Sequence, residues 1–228
     1  MNVIAFLLDF ILHMDHYLGQ IVASTGSWTY VILFVVIFIE TGLVVTPFLP
    51  GDSILFASGA LIASQGVLDV KLLYILVVVA AVLGDTANYW IGHYIGERAF
   101  HEDHRFLKKE YLDRTHAFYE KHGGKTIFLA RFIPIIRTFA PFVAGVGKMT
   151  YWHFISYNVI GGILWPALFL FGGYFFGNIA FIKNHFSLVV IAIILISLVP
   201  AVVEILRNRK KPQEQIAVEP QSAETPDR

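Results

Sequence analysis

The chain has 228 residues, 56% hydrophobic and only 15% charged, with a mean hydropathy of +0.64. A soluble domain carries about 25% charged residues, so the composition rules out an ordinary soluble protein and indicates an all-α integral membrane protein. There is no cysteine, which excludes disulfides and thiolate metal sites; seventeen bases balance seventeen acids, so only the distribution of charge is informative, and no nucleic-acid partner is expected.

Residues 1–24 read as an amphipathic surface helix. Phe6, Phe10, Met14, Leu18 and Ile21 share one face, and Asp9, His13, His16 and Gln20 share the other. Asp9, His13 and His16 have helical spacing for a metal, but a wet helix face explains them without one, and no metal or cofactor is expected. No basic n-region or small-residue cleavage site precedes them, so no signal peptide is expected. Residues 28–64 hold an apolar run that breaks at Thr46-Pro47 and Pro50-Gly51 and resumes at Asp52-Ser53. Two short apolar helices around a Pro-Gly break predict a re-entrant hairpin. Residues 70–95 exceed the roughly 20 needed to span a bilayer. They carry Asp85 and Asn88 on one face and end in Gly92-x-x-x-Gly96.

Residues 97–123 are charged and amphipathic, with Tyr111, Leu112, Thr115, Phe118 and Tyr119 on one side. Residues 125–147 repeat the short, proline-broken pattern and predict a second re-entrant hairpin. Residues 151–177 span, with a kink expected at Trp165-Pro166, and end in Gly173-x-x-x-Gly177. Residues 186–206 predict an extra C-terminal spanning helix, and the polar 207–228 a disordered tail. Residues 1–206 thus form one membrane domain.

No Lys or Arg precedes Lys71, whereas seven fall in the 97–125 segment and four more cluster at residues 207–211, just after Leu206. The positive-inside rule therefore places 97–125 and the C-terminus in the cytoplasm. Gly66, Gly92 and Gly96 recur 81 positions later as Gly147, Gly173 and Gly177, and 59–66 resembles 140–147. A re-entrant hairpin plus one span makes an odd number of crossings, so two such units in tandem are inverted repeats. That is a transporter architecture.

Ionisable groups in these broken segments are the candidate site. Glu40 lies within Phe38-Ile39-Glu40-Thr41-Gly42, and a membrane carboxyl group is a natural proton carrier. A neutral Glu bonded to an open carbonyl is the structural alternative. Asp52 either takes part in proton coupling or caps the Ser53 helix, and the two roles are compatible. Arg131 and Arg137 flank Pro134, and a break there would let both point into one cavity. Guanidinium groups fork onto phosphate oxygens. Alternatively the arginines pair with Glu40 and Asp52 as a buried lattice. Asp85 and Asn88 read as an interhelical hydrogen bond or an extension of a polar path. No nucleotide loop, nucleophile elbow or HExxH motif is present, so the chain does not read as an enzyme.

Glu40-Thr41-Gly42 leading to Pro47-Phe48-Leu49-Pro50-Gly51-Asp52, then Gly84-Asp85, and Arg131-Phe132-x-Pro134-x-x-Arg137 leading to Pro141-x-x-Ala144-Gly145, resemble the bacterial DedA family over residues 25–206. The resemblance implies an inner-membrane protein related to the VTT-type lipid scramblases. It implies proton-motive-force-dependent return of undecaprenyl phosphate, a polyprenyl phosphate lipid, across the membrane. It also implies functional roles for Glu40, Asp52, Arg131 and Arg137, and this chain departs at none of the four. The residues alone leave two other functions open: a proton-coupled cation or drug exporter, and a non-transporting membrane organiser. They also leave the choice between monomer and homo-oligomer open.

Overall fold

The computed structural model describes residues 14–43, 51–99 and 124–177, with 179, 180, 182, 188, 189, 191 and 192 beyond them. The described residues form helices, turns and short connections, with no strand among them. In chain order the helices are α1 (Met14–Thr25), α2 (Trp28–Gly42), α3 (Gly51–Gln65), α4 (Val70–Ala99), α5 (Lys125–Ala130), α6 (Pro134–Val146), α7 (Tyr151–Pro166) and α8 (Gly172–Phe176). A π-helical stretch, Ala167–Phe171, joins α7 to α8. The surface segment 97–123 beyond the end of α4, the first thirteen residues, most of the span expected over 186–206 and the 207–228 tail lie outside the described residues.

Local chemistry sets the boundaries. Gly26 and Gly66 adopt φ +54° and +64°, a left-handed conformation that suits glycine. Each donates its N–H back into the last turn of α1 or α3. Asp69 accepts from the N–H groups of Lys71 and Leu72 at 2.7 and 2.9 Å, capping the first turn of α4. Pro134 takes the first position of α6, where its missing N–H costs nothing.

The long helices are inside out relative to those of a soluble protein. On α4 the exposed residues include Leu72, Ile75, Val79, Leu83 and Ile91, while Ala80, Ala81, Asp85 and Asn88 are buried. On α7, Trp152, Ile160, Ile163 and Leu164 are exposed, and Asn158, Gly161, Gly162 and Trp165 face inward. Apolar outside and polar inside is the pattern lipid imposes. Val70–Ile95 and Tyr151–Phe176, 26 residues each, are long and apolar enough to cross a membrane. In α1, Leu18 and Val22 pack into the core while His16 and Gln20 face outward.

The two arms of each broken segment do not chiefly pack on one another. α2 and α6 both lie along α4, α5 lies on α7, and α3 lies on the π stretch and α8. Glycines make these approaches close. A Cβ on Gly145 would fall on the Tyr89 carbonyl, and one on Gly59 on the Leu170 carbonyl. A Cβ on Gly92 would meet the Phe142 carbonyl, and one on Gly173 that of Phe56. The spanning partners in these contacts are 81 positions apart (Tyr89 and Leu170, Gly92 and Gly173), as the sequence spacing suggests. The arm partners are 86 apart (Phe56 and Phe142, Gly59 and Gly145). The contacts therefore match Phe56-x-x-Gly59 with Phe142-x-x-Gly145, five positions from the alignment of 59–66 with 140–147.

The disturbance expected at Trp165-Pro166 takes a specific form. The α-helix continues through Pro166 and then widens into the π stretch. Proline removes one donor from the ladder, and a π turn re-registers the carbonyls that follow.

Candidate functional site

Three helix ends meet at Arg137. Glu40 occupies the last turn of α2, Asp52 the first turn of α3, and Arg137 follows Pro134 by one turn in α6. Arg137 Nη2 is ion-paired with Glu40 Oε1, and Nη1 donates to Asp52 Oδ1 at 2.8 Å. The Trp165 indole N–H donates to the same Asp52 oxygen at 2.8 Å, and the Arg137 guanidinium carbon sits 4.7 Å from the Trp165 ring centroid. The Gly51 N–H donates to Glu40 Oε1 at 3.2 Å, and a Cβ on Gly51 would fall on that carboxylate. Only glycine lets the α3 N-terminus approach so closely, and that end of the helix dipole favours the acids gathered there. Glu40 and Arg137 are buried, while the Asp52 side chain remains 13% exposed. Glu40 Oε2, Arg137 Nε and Ser53 Oγ are buried without a hydrogen-bond partner, each a group whose desolvation is uncompensated.

Arg131 belongs to a second cluster. It sits in the break between α5 and α6 and is ion-paired with Asp85 of α4. Its Nη2 donates to Asn158 Oδ1 at 3.0 Å and to the Ala81 carbonyl at 3.3 Å, and its Nη1 to the Asn158 carbonyl at 3.3 Å. A Cβ on Gly162 would come within 2.7 Å of Arg131 Nη1, so glycine makes the bed for the guanidinium. Asn158 Nδ2 in turn donates to the Val82 carbonyl at 3.1 Å. Asn88 Nδ2 donates to the carbonyls of Thr41 and Thr138 at 3.2 and 2.7 Å. It thereby holds the end of α2 and the start of α6 against α4, and so positions Glu40 opposite Arg137.

The structure thus brings Glu40, Asp52 and Arg137 together and puts Arg131 with Asp85. The arginines do not share one partner: Arg137 faces two acids and Arg131 faces one. Asn88 is the interhelical bridge that its place on α4 suggests, whereas Asp85 is an ion-pair partner. Sequence reasoning missed Trp165 and Asn158. Trp165 was read only as part of a kink, and Asn158 was masked by the apolar run around it, although a lone amide inside a span is itself a signal.

Residues 49–175 match the VTT domain family, a stretch that holds Asp52, Asp85, Arg131, Arg137, Asn158 and Trp165 and begins just after Glu40. The chain is 53% identical to Protein DedA of Escherichia coli (strain K12) over 212 residues, 92% of this chain and 97% of that protein. It is 44% identical to an uncharacterized membrane protein of Mycobacterium tuberculosis (strain ATCC 25618 / H37Rv) over 79% of this chain and 82% of that one. It is 35% identical to Inner membrane protein YqjA of Escherichia coli (strain K12) over 65% and 68%. No solved structure matches. An inside-out helical fold, buried charges at its broken helices and these relatives agree: the chain belongs to the DedA family of VTT-domain membrane proteins.

Proposed function

We propose that this protein translocates a lipid phosphate across the bacterial inner membrane, undecaprenyl phosphate being the lipid the family resemblance implies, and that protons drive it. The observation that carries this reading is one buried guanidinium held between two carboxylates. A phosphate headgroup offers Arg137 the same oxygen fork that Glu40 and Asp52 supply. Bringing it there adds negative charge to a cluster that already has two acids for one base. Binding therefore favours proton uptake by Glu40 or Asp52, and by linkage a proton gradient biases binding and release. Arg131, with Asp85 and Asn88 beside it, continues the polar route along α4.

The exchanged packing of α3 and α6, with its matched glycine contacts, supports two inverted units, each a re-entrant hairpin with a span. The Lys and Arg distribution supports a cytoplasmic 97–125 segment and C-terminus. A second reading, cation export, draws on the unpartnered Glu40 Oε2, which is an acceptor.

Purified protein in liposomes separates the two. Wild type should move a fluorescent polyprenyl phosphate between leaflets faster under a pH gradient, and Glu40→Gln should insert normally but lose the gradient dependence. Arg137→Lys loses the planar fork and should weaken lipid-phosphate binding by roughly one to two decades. Unchanged binding in Arg137→Lys, together with competition by small cations, would instead favour export.

A further inference from the structure

We propose that Trp165 is a positioning residue of the Arg137 site: its indole N–H keeps Asp52 supplied with a donor while Arg137 turns from Asp52 to an anionic headgroup. This rests on the reading of Arg137 as the headgroup's partner. Four tryptophans are present, and three are exposed: Trp28 at 71%, Trp90 at 38% and Trp152 at 76%. Trp165 is 0% exposed, and the polar end of its ring is aimed at the ion pair. Packing alone does not require a donor there, since Phe or Leu would fill apolar volume without one. The geometry has a further consequence. Arg137 and Trp165 donate to the same oxygen of Asp52, both at 2.8 Å. If Arg137 swings away, the Trp165 N–H still donates to that oxygen, so the oxygen does not depend on Arg137 for its hydrogen bond. The backbone supports such a role, because the π stretch begins two residues later, and π turns are frequent at functional sites.

Two measurements test the assignment. The first needs no lipid: a chain with Trp28, Trp90 and Trp152 replaced by Phe leaves Trp165 as its sole tryptophan. Four charged groups bear on the ring: Asp52 from α3, Arg137 from α6, Glu40 from α2 and, through the field at Arg137, Asp85 from α4. In detergent, Asp52→Asn should shift Trp165 emission, because the indole N–H loses its charged acceptor, and Glu40→Gln should shift it less. Emission that Asp52→Asn leaves unchanged overturns the proposal.

The second measurement uses farnesyl phosphate as the probe. Trp165→Phe keeps the ring and loses the N–H, and should lower affinity by about tenfold to a hundredfold. In an Asp52→Asn background the same change should cost little, because the charge that needed the donor is gone. Equal affinity in wild type and Trp165→Phe overturns the proposal. A probe that fails to bind wild type, with Trp165 emission that Asp52→Asn does shift, overturns the lipid-phosphate reading and upholds the contact between Trp165 and Asp52.

Discussion

Buried ion pairs add little net stability, because desolvation consumes most of the attraction, yet removing one partner strands the other at about 3–5 kcal/mol. Arg131 and Asp85 are such a pair, both buried against α4 and α7. Arg131→Met alone should therefore lower the thermal unfolding midpoint in detergent sharply. Replacing both residues, as Arg131→Met with Asp85→Leu, should recover most of the loss while the proposed lipid transport stays impaired. A double variant as unstable as the single would mean that the backbone contacts of Arg131, not the pair, hold the break in place. At this scale the ionisable residues were legible because a charge in an apolar run stands out against any bland reading. Their partners were not, since the matching of Arg131 with Asp85 depends on how α4 is rotated about its own axis, and no local pattern encodes that rotation. Trp165 was hidden for a related reason: an aromatic beside a proline has an ordinary explanation, and only the arrival of Asp52 from α3 gives its N–H a purpose.

At the scale of elements, the breaks were readable from covalent chemistry. Pro134 starts α6 because a proline suits the first helical position, and α2 ends at Gly42 with Leu43 extended. The packing partners were less accessible. The arms of a broken segment are neighbours in sequence, which suggests a hairpin closed on itself, but the glycine faces of α3 and α6 fit the far and near spanning helices better than they fit their own partners. Gly145→Ala and Gly59→Ala test this directly. Each places a methyl group on a backbone carbonyl of the opposing helix, and overpacking of this kind costs about 1–3 kcal/mol. Both variants should unfold at lower temperature by similar amounts, whereas Gly26→Ala, with nothing within 4 Å of its added Cβ, should show only the cost of its left-handed backbone. A large effect at Gly59 with none at Gly145 would contradict the matched roles of the two arms.

For the whole molecule, the orientation proposed from the Lys and Arg distribution is easy to probe, because the chain has no native cysteine. Single cysteines at Lys71 and Lys183 should react with an impermeant reagent added outside spheroplasts, and one at Lys109 only after permeabilisation. The reverse pattern would invert the whole assignment. The long-range ion pair has a further consequence, in time rather than space. Arg137 is synthesised 97 residues after Glu40 and 85 after Asp52. At about 5–20 residues per second, the two acids are made roughly 5–20 s before their cation. For that interval they have no Arg137 to pair with. A chain that stops short of Arg137 holds two acids that never meet this base.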